Sequence, residues 1–410
     1  MNLEYFIAKR LNGAASYKSN ASATIIKIAI VAIALSMIMM LVAVGTGLGL
    51  QYTIREKVAA FNGHILVSNF DGSNSLETIN PVSINQDFYP DFESVPEVTH
   101  VQGVAVKGGF IRSETDFEGV LVKGLGADYD WSRIEEYIIA GRKPDFTGAT
   151  LNTEMLISNY LANRLHFAIG DKVVVYFTRE SGRLTPLRLD IVGIYESAYQ
   201  EFDEVFLISD IRHLRRVNSW EKDEVGAFEI FIDDFDHMQD VTNAVYQNTS
   251  STLQAISVVQ NNPFIYQWIE TFDFNISLII NLLIIIAGLN IIIALIVLVL
   301  DRTKMIGVLK ALGSSNWRIR KIFLYNAMYL IGLGLFWGNL IGIGLLVLQR
   351  KFGFITLDPV TYYVSKAPVL LDPIKIIALN FWVFVLCLLM LIIPSYIITR
   401  ISPVKTMKFE

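Results

Sequence analysis

The sequence predicts an α-helical membrane protein with four transmembrane helices plus a large extracytoplasmic α+β domain, the latter a mixed α/β base with an inserted β-rich lobe. Three observations carry this. Only 18% of the 410 residues are charged, against about 25% in an ordinary soluble domain. Four stretches, residues 28–54, 274–300, 322–349 and 376–399, hold no charged residue, and each exceeds the roughly 20 residues that a spanning helix needs. Charge is also divided: residues 51–270 hold 17 Lys and Arg against 33 Asp and Glu, and the rest of the chain holds 17 against 6. An acidic block therefore sits inside a basic, apolar frame. The apolar content excludes disorder, and the single cysteine, Cys387, excludes a disulfide framework.

In order, the chain reads as a short N-terminal segment (1–24), a first span (25–50), an outer domain (51–270, β-rich insert about 118–225) and a second span (272–300). An inner loop (301–321), a third span (322–349), an outer loop (350–375), a fourth span (376–399) and a tail (400–410) follow. The first apolar run is too long for the h-region of a secretory signal and has no convincing cleavage site, so an uncleaved anchor is expected. Orientation follows from positive charge in the short loops. Lys9, Arg10, Lys18 and Lys27 precede the first span, Arg302, Lys304, Lys310, Arg318, Arg320 and Lys321 lie between the second and third, and Arg400, Lys405 and Lys408 follow the fourth. These segments belong inside, which places both termini in the cytoplasm and the acidic block outside.

Within 51–270, strand-like runs fall at 64–69, 98–111, 172–178, 187–195, 204–209 and 228–233, and helix-like runs at about 152–165 and 234–247. Strand–helix–strand order is expected at both ends, over 64–111 and 228–259. No catalytic constellation is visible. The histidines His64, His100, His166, His213 and His237 are scattered without metal-ligand spacing. The acidic runs around Glu201, Asp203 and Glu204 and around Asp233, Asp234 and Asp236 lack the spacing of a calcium loop and read as solvated faces or helix caps. The domain reads as a binding or clamping part, with no metal and no enzymatic site.

The inner loop is the most informative segment. Met305, Val308, Leu309 and Leu312 recur at helical spacing and form one apolar stripe, with Lys304 and Lys310 away from it. Gly313 can stop this helix in the left-handed conformation, and Ser314 or Ser315 can cap the next. Such a helix suits either a groove on a cytoplasmic partner or the lipid headgroups. The segment RTKMIGVLKALGSS at 302–315 resembles the coupling helix of ABC-transporter permeases of the MacB/FtsX superfamily. FIAKRL at 6–11, FNGHILV at 61–67, LDPVTYYVSKAPVLLDP at 357–373 and SPVKTMKFE at 402–410 resemble segments of the lipoprotein-releasing LolC/LolE family within it. Met407 and Lys408 stand where that family usually has Leu and Arg.

The resemblance implies a cytoplasmic amphipathic helix before the first span and a MacB-like periplasmic domain, in a multi-pass protein of the inner membrane. It further implies separate ABC ATPase subunits docked on Arg302, Lys304, Met305, Ile306, Gly307, Val308, Leu309, Lys310, Ala311, Leu312 and Gly313. A second permease subunit, identical or paralogous, a lipoprotein substrate extracted by mechanotransmission, membrane lipid and, in some members, a periplasmic lipoprotein carrier complete the set; no nucleic-acid partner is expected. ATP and Mg belong to the ATPase, because no G-x-x-x-x-G-K-[ST] loop, indeed no Gly–Lys step, occurs in this chain. Met37, Met40, Leu41, Val44 and Leu48 share one face of the first span and form the candidate lipoprotein-facing surface. Gly334, Gly338 and Gly342 form two small-x-x-x-small steps, for packing either within the subunit or between permeases. Asn275, Asn281 and Asn290 are expected to hydrogen-bond across the bundle. The alternatives are a MacB-like exporter of peptides or antibiotics and an FtsX-like activator of a cell-wall hydrolase. The 220-residue outer block disfavours the latter.

Overall fold

The computed structural model describes residues 3–11, 20–70, 77–112, 117–148, 150–179 and 182–395. The expected tail at 400–410, with its SPVKTMKFE segment, and the end of the fourth apolar stretch lie outside the described residues, as do 12–19 of the N-terminal segment. Helices α1 (Leu3–Leu11) and α2 (Asn20–Asn62) are followed by strands β1 (Ile65–Asn69), β2 (Val82–Ser83), β3 (Val98–Arg112), β4 (Phe117–Leu125), β5 (Ile138–Gly141) and β6 (Glu154–Ser158). Next come α3 (Asn159–Leu165), β7 (Lys172–Thr178), β8 (Leu184–Tyr195), α4 (Gln200–Asp203), β9 (Phe206–Asp210), α5 (Ile211–Asn218), β10 (Glu224–Val225) and β11 (Ala227–Ile232). Then α6 (Met238–Gln247), β12 (Leu253–Ser257) and α7 (Val258–Asn261) lead to α8 (Pro263–Asp301), α9 (Thr303–Ala311), α10 (Asn316–Phe352), α11 (Pro359–Tyr362), α12 (Pro373–Met390) and α13 (Ile392–Ser395).

Two compact units result, Met1–Tyr52 with Trp268–Thr356 and Lys366–Glu410, and Thr53–Gln267 with Leu357–Ser365. In the first, α2, α8, α10 and α12 are the four helices, among the described residues, that are long and apolar enough to cross a membrane. Their core is one cluster: Ile33, Met37, Met40 and Leu41 meet Ala287, Ile291 and Leu295, then Phe323, Leu330 and Ile331, with Val383 and Cys387. Helices α2, α8 and α10 overrun the expected spans, whereas α12 ends at Met390, inside the expected 376–399. The 43-residue α2, at about 1.5 Å per residue, is about twice as long as a hydrocarbon layer of about 30 Å requires.

The second unit is built on a mixed sheet in the order β12-β1-β11-β3-β4-β9-β6-β8-β5, with β7 pairing β3 and β8. The base, β12-β1-β11-β3, is antiparallel throughout. Parallel pairs occur at β4–β9 and β6–β8. Since β7 pairs both β8 and β3, the strands β3, β4, β9, β6, β8 and β7 close into a ring. The β-rich lobe is therefore not a separate insert. The 15-residue β3 belongs to both parts, pairing β11 with its first half and β4 with its second. Alternate residues of β7 (Val173, Val175, Phe177) are buried, as expected for a strand with one inward face.

Two element assignments need correction. The run at 152–165 is not one helix: Glu154–Ser158 is a strand, and Ser158 then caps α3 by accepting from the Leu161 amide at 3.0 Å. A short apolar run such as Met155-Leu156-Ile157 is ambiguous by periodicity alone. Strand–helix–strand order holds at β11-α6-β12, but no helix separates β1 from β3 among the described residues.

Candidate functional site

Helix α9 ends as Gly313 demands. Gly313 sits at φ +84, its amide bonds to the Lys310 carbonyl at 3.0 Å, and the Ser314 amide bonds to that of Leu309 at 3.0 Å. Together they form a Schellman stop. Ser315 occupies the cap position of α10 in extended conformation but makes no side-chain cap bond, so the expected serine cap is positional only. The apolar stripe is also rotated from the expected one. Ile306, left out of that stripe, is fully buried, and Gly307 is buried beside it. Met305 and Leu309 pack against Ala8 of α1 and Ile322 of α10. Val308 and Leu312 remain exposed, at 52% and 77%, as does Trp317 at the start of α10, and Lys304 and Ala311 are exposed too. Local periodicity could not show that α1 covers half the stripe. Arg302 stands at the N-cap position and pairs with Asp301 at 3.5 Å, and partial burial lowers the Lys310 ammonium below the usual lysine range.

The candidate lipoprotein face on α2 is corrected. Met37, Met40 and Leu41 are buried at 0%, 0% and 1%, inside the helix cluster, while Val44 and Leu48 are half-buried against Leu346 and Leu370. The open face of α2 carries Ile28, Val31, Leu35 and Met39 instead. The cause is the glycine stripe. A Cβ at Gly334 would stand 2.6 Å from Ile33, one at Gly338 2.6 Å from Met37, and one at Gly342 2.8 Å from Leu41. All three glycines thus receive α2 within the subunit. The pairing rises in steps of four along both helices, so α2 and α10 run parallel, as two spans that leave the membrane on the same side must. Asn281 and Asn275 are exposed, and Asn290 bonds to the Ile286 carbonyl of its own helix at 3.0 Å, so among the described residues these asparagines do not bridge the bundle. The amide clasp is elsewhere: Asn339 of α10 and Asn380 of α12 exchange hydrogen bonds at 2.6 and 2.9 Å.

In the outer unit the last turns of α2 are held on every side. Arg55 stacks on Phe235 at 4.6 Å and pairs with Asp236 at 3.6 Å. Lys57 donates to the Tyr363 carbonyl at 2.8 Å. Phe61 is buried against Phe202, Tyr137 and Tyr195. Lys123 of β4, 4% exposed, reaches the Phe61 carbonyl and the Glu229 carboxylate of β11, both at 2.5 Å, and Glu229 is 3% exposed. Gln102 of β3 donates to the other carboxylate oxygen at 2.9 Å and accepts from the Asp130 amide at 3.1 Å. This network escaped sequence reasoning; its only trace is a charge inside each of two apolar runs, GVLVKGL and AFEIFI. A cavity of about 450 Å³ lies against it, bounded by Leu66, Val106, Ile256 and Phe264 among others. Among the described residues no group of three or more His, Cys, Asp or Glu could hold a metal ion. Asp203, in the acidic run, is instead buried and accepts from Ser197 and Ala198, burial holding its carboxyl above the usual range. Asp234 caps the turn at Asp236.

His64, just after α2, is buried and accepts at Nδ1 from the Ile232 amide at 3.2 Å; burial pushes its pKa down to about 4. Unfolded, it would titrate near 6.5. Its contribution is therefore complete above pH 6.5 and is lost as pH falls toward 4, a span worth about 3 kcal/mol, while Asp203 acts in the opposite sense. Thermal melting of the full chain in detergent is expected to weaken between pH 7.5 and 4.5, and His64→Asn to shrink that difference. An equal drop in both proteins would refute the assignment.

Two family models divide the chain between them. The MacB-like periplasmic core domain matches residues 27–248, more than half of the chain, and the FtsX-like permease C-terminal domain matches 277–403. The chain belongs to the MacB/FtsX superfamily. The LolC/LolE resemblance is supported along its length. Lipoprotein-releasing system transmembrane protein LolC from two strains of Xylella fastidiosa is 20% and 21% identical, covering 100% of this chain and 98% of each relative. LolC of Haemophilus influenzae is 22% identical over 63% of this chain and 64% of its own. Among solved structures, the extracellular domain of the noncanonic ABC-type transporter YknZ covers 48% of this chain and 100% of its own, at 12% identity and TM-score 0.31. The periplasmic region of MacB from Actinobacillus actinomycetemcomitans covers 52% and 95%, at 12% and 0.33. This MacB/FtsX member is thus an ABC-transporter permease: a membrane subunit with a MacB-like periplasmic core domain and a mixed sheet.

Proposed function

We propose that this chain is the LolC/LolE-type permease subunit of an inner-membrane complex that releases lipoproteins, driven by ATP hydrolysed on separate ATPase subunits docked at α9. The observation that carries the reading is the similarity to LolC over the whole chain, spanning helices and outer unit alike. The exposed Val308–Leu312 side of α9 supports the docking half of it: this side is apolar, lies between basic residues and is held rigidly by Ile306. Work is required because each buried methylene of an acyl chain holds the cargo in the bilayer by about 0.8 kcal/mol. The nucleotide and Mg are held by the ATPase, the termini lie in the cytoplasm, and a second permease, identical or paralogous, completes the membrane part. The cargo-facing side of α2 is that of Ile28, Val31, Leu35 and Met39, since Met37 is occupied by α10 and Met40 is buried inside the helix cluster.

Depletion of this chain in growing cells tests the reading. Outer-membrane lipoproteins are expected to accumulate in the inner membrane within a few generations. Unchanged sorting, with a peptide or a cell-wall hydrolase co-isolated instead, would favour the exporter or activator roles.

A further inference from the structure

We propose that the buried Lys123–Glu229 pair is the positioning pair that fixes the outer end of α2 to the sheet, so that movement of the helix is delivered to β11 and β4. The inference rests on the permease reading but not on the identity of the cargo. Phe61 lies in the last turn of α2, where carbonyls have no amide partner within the helix. Gly63, at φ +70, turns the chain out of the helix and bonds back to the Ala59 carbonyl at 2.7 Å. The Phe61 carbonyl is left to Lys123 at 2.5 Å. An ammonium at a helix C-terminus is favoured by the dipole, and here it is also locked by Glu229, with Gln102 holding the carboxylate's second oxygen. Gly63 has no Cβ because one would stand 2.8 Å from Glu229 Cβ, so the chain turns directly on the carboxylate's own stem.

Three neighbouring strands, β11, β3 and β4, thereby hold one helix end. Stability does not call for such a pair, since a buried ion pair replaced by apolar residues of like volume is often neutral or better. What the pair supplies is a directional link: two hydrogen bonds from one Nζ fix both where the helix ends and which strand it ends on. The apolar contacts of Phe61 with Phe202, Tyr137 and Tyr195 fill space but can slide.

The test uses the full complex with its ATPase, comparing the parent with Lys123→Met/Glu229→Leu. Amide exchange at residues 59–64 is expected to accelerate at least tenfold in the variant, with melting temperature and ATPase rate near parental values. In the parent, exchange in β1 and β11 is expected to change when the ATPase is trapped with ATP and vanadate; in the variant that response is lost. Unchanged exchange at 59–64, or a retained response in the sheet, overturns the proposal, as does a parent whose sheet never responds. If the apolar pair does not fold, Lys123→Met/Glu229→Gln, which keeps a carboxamide partner for Gln102 but removes the donor to the Phe61 carbonyl, is read the same way. A parent whose sheet responds to nucleotide yet releases no lipoprotein overturns the cargo assignment and leaves the positioning pair standing.

Discussion

Leu312→Glu is expected to leave the chain folded and inserted while reducing cargo-stimulated ATP hydrolysis of the complex at least tenfold. Leu312 is 77% exposed, so the substitution removes almost no internal packing, and surface changes of this kind usually stay within about 0.5 kcal/mol. At an apolar docking surface the same carboxylate must be desolvated against the partner, and a tenfold loss corresponds to about 1.4 kcal/mol. Ile306→Glu, six residues back, is expected to behave in the opposite way. Ile306 is fully buried, and an unpaired charge there costs several kcal/mol, so the complex is expected not to assemble. Leu309→Glu and Gly307→Trp are poorer probes, because both residues face inward and would mix misfolding with uncoupling. Hydrolysis assays beside melting curves separate the two effects. Parental coupling in Leu312→Glu would show that α9 does not dock there.

Gly338→Leu is expected to cost about 3 kcal/mol or more and to abolish recovery of a monodisperse permease. Its Cβ would stand 2.6 Å from Met37 Cβ and 3.0 Å from the Ala34 carbonyl oxygen. A carbonyl in the middle of a helix cannot step aside, and overpacking a close-packed site commonly costs about 1–3 kcal/mol before longer side-chain atoms are placed. Gly332→Leu is the control. It lies on the same helix with nothing within 4 Å of its Cβ, and a change under about 1 kcal/mol is expected because leucine is the better helix former. Melting in detergent and size-exclusion profiles check both. Equal behaviour of the two variants would mean that the α2–α10 seam does not depend on the glycine notches.

What could be read from the sequence follows the range of the forces involved. The spans are a one-dimensional signal, so their number and the glycine stripe were legible. Gly313 was legible too, because a left-handed stop is a local requirement. Tertiary contacts were not. Half of the expected stripe on α9 packs inward as read, Met305 and Leu309 being covered by α1, nearly 300 residues distant in sequence, while Ile306 takes the inward place expected of Val308 and Leu312. Met37 and Leu41 looked like a ligand face because an apolar residue facing lipid and one facing a glycine are indistinguishable in sequence. The shared β3 and the closing of β7 onto it are nonlocal pairings that strand patterns do not encode. Nothing local to Lys123 or Glu229 signals their pairing, which arises only where the register brings β11, β3 and β4 together.

The central claim is that ATP hydrolysed by a separate subunit reaches a lipoprotein through this chain. Proteoliposomes holding the complex and a radiolabelled triacylated lipoprotein test it most directly, by the fraction of cargo found outside the vesicles on a soluble acceptor after ATP is added. The account predicts release that requires ATP and disappears with Leu312→Glu. Release without nucleotide, or no release from a complex that hydrolyses ATP normally, would contradict it.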